Sequence, residues 1–339
     1  GRSSVQYGTR TAIEGLCVGH AGLPDAMSGC TVILPECGGT AGVDIRGGAP
    51  GTFGTDTLNP LNLVERVDGI FLTGGSAFGL AVADGVREHL HGKNVGFDSG
   101  YGVVPIISGA VIFDLGINAG RPRPGAELGR AACEAASREV VEEGCVGAGV
   151  GATVGKLYGL ARSMKAGLGS ACIEAPSGIK VGALMVVNAF GDIFDPALGR
   201  TIAGCRTSEE SLDLLNADGA LRQFKRLKGF PSGCNNTLIG VVATNAKFNK
   251  TQLTKVAQMA HDGLARTVYP AHTQYDGDTI FAVSCGNLED AEVTIVGALA
   301  AQATAEAILR AVYKADSLGG IPSWKDLAAA RASAIQPPD

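Results

Sequence analysis

Gly233-Cys234-Asn235-Asn236-Thr237-Leu238-Ile239-Gly240 sets a small hydroxyl, Thr237, at the head of an apolar run that extends to Ala243. The run is short and rich in β-branched residues, so it reads as a buried strand. Gly229-Phe230-Pro231-Ser232-Gly233 before it reads as a loop. A hydroxyl at a loop-to-strand junction suits one kind of chemistry. If the chain is cut between Asn236 and Thr237, Thr237 gains a free α-amine beside its own Oγ. An α-amine has a reference pKa of about 7.7–8.0, so near neutrality part of it can accept the hydroxyl proton. Nucleophile and base then sit on one residue. The same eight residues also read as an ordinary strand start, with Asn-Asn-Thr in a turn.

Composition narrows the field. The apolar share is 45% and the charged share 18%, which is globular and not disordered. Glycine supplies 50 of 339 residues, about twice its usual share, with no collagen-like period. That implies many tight bends and close backbone approaches. A net charge of −5 gives no nucleic-acid footprint. No unbroken apolar run reaches membrane-spanning length and no signal peptide is visible, so no membrane partner is expected. Nine scattered cysteines without a CxxC pair favour reduced thiols and a cytoplasmic setting.

Working outward, Cys30–Leu34, Ala41–Ile45 and Gly69–Thr73 read as strands. A helix follows to about Leu90, with Ser76 as its N-cap. Gly74-Gly-Ser-Ala-Phe-Gly79 resembles a nucleophile elbow but has Phe78 where that motif needs glycine. Glu127–Glu143 reads as a helix. Gly147-Ala-Gly-Val-Gly151 matches a loose dinucleotide pattern without the strand–helix context it requires, and it fails as a phosphate loop because Leu157 follows Lys156. The glycines instead bend the backbone closely while presenting Lys156. Val181–Val187 and Asp192–Phe194 read as a strand pair, with Asn188 in the hairpin turn. Residues 196–232 read as a mostly exposed linker. Asn249 and Gln252 form a capping box, ahead of a buried stripe of Leu253, Val256, Ala257, Ala260 and Leu264. Tyr275-Asp-Gly-Asp-Thr279 turns into the strand Ile280–Val283, and an Ala-rich helix covers about Leu288–Lys314. Strands and helices alternate irregularly, which favours stacked sheets covered by helices over a doubly wound parallel sheet.

Asn235–Ala246 together with His272–Ala282, and with Lys156, Asn188 and Val43–Gly48, resembles a family of self-cleaving amidases. That family includes β-aminopeptidases, L-aminopeptidase/D-esterase and the endo-type hydrolase of 6-aminohexanoate (nylon) oligomers. The likeness runs through nearly the whole chain. It implies an α/β fold, a four-layer αββα sandwich of the N-terminal-nucleophile-hydrolase type. It further implies one domain, residues 1–339, cut into 1–236 and 237–339, with the pieces held together and assembled as homotetramers. β-Aminopeptidases tend to use a serine nucleophile beside a serine–glutamate pair. Thr237 with Asp276 and Asp278 is nearer the nylon-oligomer type.

The resemblance also implies roles. Thr237 would attack the amide of a small-molecule amide or oligoamide, with its α-amine as base and then acid. Asn188 would donate to the oxyanion, and Lys156 would keep the amine unprotonated. Asp276 and Asp278 would hydrogen-bond the Thr237 amine and hydroxyl and so orient them. No cofactor and no metal are expected; a metal on this acidic pair with His272 lacks further spaced ligands. Phe113, Ile117 and Tyr275 are candidates for the substrate pocket. The alternative is an acyltransferase of the ornithine acetyltransferase type using the same threonine. A dinucleotide-binding protein, resting on Gly147–Gly151 and Gly74–Gly79, is the third reading.

Overall fold

Nine of the ten residues in Thr237–Ala246 are buried, and a strand buried on both faces needs a layer on each side. The computed structural model, which describes residues 4–6, 13–227 and 236–333, supplies both layers. Thr237–Ala246 lies inside a six-stranded sheet in the order Ser4–Gln6, Leu168–Glu174, Lys180–Asn188, Thr237–Ala246, Thr279–Leu288, Thr40–Ile45. Its pairing with Thr279–Leu288 is parallel and its pairing with Lys180–Asn188 antiparallel. A second sheet runs Leu16–Leu23, Ser28–Pro35, Gly69–Thr73, Ile107–Val111, Thr52–Phe53.

Strand periodicity divides the core. Ile239, Val241 and Ala243 face the second sheet, where they meet Ile33, Ile70 and Leu72. Leu238 and Val242 face the other way, onto Leu253, Val256, Ala257, Val296 and Ala300. Those five residues belong to helices Lys250–Ala265 and Val293–Tyr313. Helices Val82–Gly92 and Ala126–Glu134 cover the outer face of the second sheet through Val82, Val86, Leu90 and Ala132, packed on Val32 and Phe71. The result is the expected four-layer αββα sandwich. Val293–Tyr313 is long and apolar enough to cross a membrane by length and composition, but 61% of that window is buried in the sandwich. Its small residues let it approach closely: a Cβ at Gly263 would sit 2.1 Å from the carbonyl oxygen of Ala301.

The capping box at Asn249 and Gln252 is present, and all five residues of the stripe behind it are buried. Four local readings change. The helix expected over Glu127–Glu143 stops at Glu134, because the backbone of Ser137 pairs with Val18 at the edge of the second sheet. Ser76 is no N-cap. It follows Gly75 at φ +51° and opens a 3-10 turn, Ser76–Ala81, before the α-helix begins at Val82. Asn188 is not in a hairpin turn. It ends a strand of the six-stranded sheet, while Asp192–Asp195 joins a separate sheet with Arg200–Ala203 and Val268–Tyr269. Part of the expected linker is built into the body. Arg206 is buried and donates to the backbone carbonyls of Ala161, Ser163, Glu209 and Ser211. The loop expected at Gly229–Gly233, with Cys234 and Asn235, lies outside the described residues.

Candidate active site

Sheet pairing fixes the Asn236–Thr237 junction on both sides. Asn236 pairs in parallel with Asp276: its N–H donates to the Tyr275 carbonyl at 3.2 Å, and its carbonyl accepts from Gly277 N–H at 3.0 Å. Thr237 is 4% exposed and lies opposite Asn188 in the antiparallel register. Its hydroxyl donates to the Asn236 carbonyl oxygen at 2.5 Å. That carbonyl is therefore flanked by an N–H donor and a hydroxyl. Gly277 closes over the hydroxyl so tightly that a Cβ there would lie 3.0 Å from Thr237 Oγ1 and 2.7 Å from the Ala49 carbonyl.

One wall of the site is acidic. Asp278 accepts from Leu238 N–H at 3.0 Å through Oδ1. Its Oδ2 accepts from His272 twice, from the backbone N–H at 3.1 Å and from Nδ1 at 2.8 Å. Asp276 accepts from Phe190 N–H at 3.2 Å and from both the N–H and the hydroxyl of Thr273. Burial, together with the Asp278 carboxylate, pushes the Asp276 carboxyl up to about 7. Asp278 thus holds the backbone just after Thr237 and Asp276 holds Phe190 and Thr273, where direct bonds to the Thr237 amine and hydroxyl were expected. With the Asn236–Thr237 peptide intact, the Thr237 nitrogen is an amide.

The opposite wall is an ammonium and an amide. Lys156, 2% exposed, donates to Asn188 Oδ1 at 2.9 Å and to the Asn188 carbonyl at 3.3 Å. Thr153 N–H adds a second donor to Oδ1 at 3.0 Å. Asn188 Nδ2 donates to the Phe113 carbonyl at 3.0 Å. Lys156 and an amide N–H can only donate, and a carbonyl can only accept, so this amide orientation is fixed. An amide nitrogen has two hydrogens, which leaves Nδ2 a second donor. Two other buried lysines show the contrast. Lys165 donates to the carbonyls of Gly149, Ala152 and Ala166, and Lys250 to those of Thr57, Asn59, Asn62 and Val64. Both tie backbone together, whereas Lys156 sets a side chain beside Thr237.

Thr237, Asn236, Lys156, Asn188, Asp276 and Asp278 are thus brought together. Phe113 and Ile117 line, with Thr153 and Lys156, a small cavity with room for about one water. Through Gly116, Ile117 and Leu160 it adjoins a cleft of about 580 Å³ that also carries Arg121 and Glu209. Tyr275 packs its ring on Phe190, at 5.9 Å between centroids. Among the described residues no three His, Cys, Asp or Glu side chains are grouped to hold a metal ion. Gly147–Gly149 is a buried 3-10 turn packed against Cys30 and Thr31, with no helix behind it to form a dinucleotide site. Sequence reasoning missed Thr153, Gly277 N–H and the bond from His272 to Asp278. His272 opens the stretch that carries the family resemblance, so a signal for it existed; it was weighed only as a metal ligand.

The model of peptidase family S58 matches residues 10–324. An uncharacterized aminopeptidase of Mycobacterium tuberculosis is 43% identical over 343 residues, covering 94% of this chain and 97% of the relative. The 6-aminohexanoate-oligomer endohydrolase of Kocuria sp. is 28% identical over 322 residues, covering 91% of this chain and 87% of that protein. Among solved structures, the L-aminopeptidase D-Ala-esterase/amidase of Ochrobactrum anthropi, described as a variant of the Ntn hydrolase fold, superposes with a TM-score of 0.71 at 20% identity. That match covers 98% of this chain and 94% of the other. A Burkholderia sp. β-aminopeptidase gives 0.69 at 21% identity, covering 100% of this chain and 97% of that one. The two structures carry the fold, and the family match carries the class: this chain belongs to peptidase family S58 and is a hydrolytic enzyme.

Proposed function

We propose that the enzyme is an N-terminal-threonine amide hydrolase that matures by cutting its own Asn236–Thr237 bond. The observation that carries this reading is the Asn236 carbonyl, with the Thr237 hydroxyl at 2.5 Å and Gly277 N–H at 3.0 Å on its oxygen. For maturation, Oγ1 adds to the Asn236 carbonyl carbon, and Gly277 N–H stabilises the charge that grows on the oxygen. The C–N bond breaks as the nitrogen takes the proton, leaving an ester. Water hydrolyses that ester, giving chains 1–236 and 237–339.

In the mature enzyme the freed α-amine takes the Oγ1 proton as Oγ1 attacks a substrate amide. The second hydrogen on Asn188 Nδ2 donates to the oxyanion. Lys156, itself donating to Asn188 Oδ1, makes that amide a stronger donor and disfavours a second positive charge on the amine. Asp278, bonded to Leu238 N–H, holds the head of the strand, and Asp276 holds the Phe190 turn behind it. The amine then returns its proton to the leaving nitrogen, and water releases the acyl group.

The substrates we assign are short peptides and linear 6-aminohexanoate oligomers, on the strength of the aminopeptidase and endohydrolase relatives. The cleft beside Ile117 is the proposed entry, with Phe113 and Tyr275 in the pocket wall. Assembly as a cytoplasmic homotetramer of cut chains belongs to the same proposal. Among the described residues the cysteines are free thiols, in keeping with a reducing compartment. Incubation with linear 6-aminohexanoate oligomers, α-amino acid amides and β-amino acid amides, with products read by mass, tests the substrate class. Hydrolysis of the oligomers or of α-amino acid amides is expected; turnover of none of the three would refute it. Light scattering on the purified protein tests the assembly, four cut units being the expected mass.

A further inference from the structure

His272 is built into an unusual position. Its backbone φ is +53°, a left-handed conformation that costs most side chains and that His tolerates better than most. That geometry lets two donors of one residue, N–H and Nδ1, reach the same oxygen, Asp278 Oδ2, at 3.1 and 2.8 Å. An ionised carboxylate only accepts, so Nδ1 carries the hydrogen. The ring is fixed from behind by His261, edge-on at 4.9 Å between centroids. His261 is fully buried and held in turn through Nε2 by the Asp44 carbonyl at 2.9 Å. Burial keeps His261 down at about 4, so it packs as a neutral ring at neutral pH. A line of contacts therefore runs from Asp44 through His261 and His272 to Asp278, and from Asp278 Oδ1 to Leu238 N–H beside Thr237.

We propose that His272 is a positioning residue: its Nδ1–H locks the rotation of the Asp278 carboxylate and thereby sets the aim of Thr237. The inference rests on Thr237 as nucleophile. His272 itself transfers no proton. Both carboxylate oxygens of Asp278 need a donor at a fixed angle if Oδ1 is to hold the strand head. Without the imidazole, Oδ2 keeps a single backbone donor and the carboxylate can swing.

Two substitutions separate this role from others. Glycine accepts φ +53° and keeps the backbone donor, so His272→Gly removes the ring alone. Asparagine is also at home in that conformation, and its Nδ2–H can replace Nδ1–H. In the Gly variant kcat is expected to fall about 10- to 100-fold, the cost of a small misplacement of the reacting group. Its KM is expected to stay within about twofold, since the loss is one of transition-state alignment. The Asn variant is expected to recover most of the lost kcat. A Gly variant with unchanged kcat, one whose loss lies in KM, or an Asn variant no better than Gly would each overturn the proposal. Should the Gly chain not fold, the Asn chain decides alone: kcat near the wild-type value supports the clamp, and a tenfold or larger fall refutes it. Thr237→Ala, run beside them, reports on the underlying reading. If that chain is still active, the nucleophile is wrong; if it is dead while His272→Gly is fully active, only the clamp is wrong.

Discussion

The acidic wall beside Thr237 comes from one run, residues 272–278, held mainly by backbone N–H donors, whereas the opposite wall gathers Phe113, Thr153, Lys156 and Asn188 from three distant parts of the chain. The acidic wall is a loop shaped by its own hydrogen bonds and pinned to the head of the Thr237 strand. The amide wall exists only after both sheets have formed, and its geometry hangs on one side chain, Asn188. Damage to either wall should therefore show in turnover and in stability, and damage to the acidic wall also in cutting at Asn236–Thr237, whose carbonyl accepts from Gly277 N–H.

Asn188→Ala is the most severe cut across that comparison. It removes the proposed oxyanion donor, a change that typically costs about 2.7–4 kcal/mol of barrier, or about 10²–10³-fold in kcat. It also removes the Oδ1 acceptor of the buried Lys156 ammonium, so a lower melting temperature should accompany the loss. Unchanged kcat in the mature enzyme would remove Asn188 from the mechanism.

Gly277→Ala probes the join between the acidic loop and Thr237. The new methyl must displace the Ala49 carbonyl, 2.7 Å away, and presses on the Thr237 hydroxyl at 3.0 Å. A shift of a few tenths of an ångström at that hydroxyl should cost about 10-fold in kcat. Slower cutting at Asn236–Thr237 should accompany it, because Gly277 N–H lies on the carbonyl where the cut is proposed. Time courses of maturation on denaturing gels measure that directly, and wild-type rates of both steps would show the contact to be slack.

The smallest effect is one of pH. Asp276 has its folded pKa raised to about 7 from an ordinary 3.8. Between those values the folded state holds a proton that the unfolded state has released. The stability this gives is full below about pH 4 and is lost as pH rises through about 7. Asp192, also raised to about 7 by burial, acts in the same direction, so the measurement must be a difference. The melting temperature of Asp276→Asn relative to wild type should rise steadily from pH 4 to pH 8. A flat difference would mean that Asp276 ionises normally.

The same contrast explains how much could be read from sequence. Thr237–Ala246 and the capping box at Asn249 announce themselves through local pattern, because period-2 burial and N-cap chemistry are decided within a few residues. The turn of Tyr275–Thr279 into a strand is local in the same way, whereas the roles of Asp276 and Asp278 came only from the family likeness. Local pattern puts Asn188 in a hairpin turn, since no local signal says that Lys180–Asn188 and Asp192–Asp195 enter different sheets, and only the family likeness points to its role. Thr153 was hidden among glycines, whose pattern speaks only of close packing. The helix over 127–143 was read too long because propensity cannot know that Ser137 will be captured by Val18 from across the chain. Contacts between distant segments are set by topology, and topology is where single-sequence reasoning is weakest.

Intact-mass measurement of the purified enzyme, with sequencing of its chain ends, tests the central claim most directly. The account predicts two chains, one ending at Asn236 and one beginning at Thr237, and a single uncut, inactive chain for Thr237→Ala. An unbroken wild-type polypeptide that hydrolyses amides would contradict it, because Thr237 would then have no amine to serve as its base.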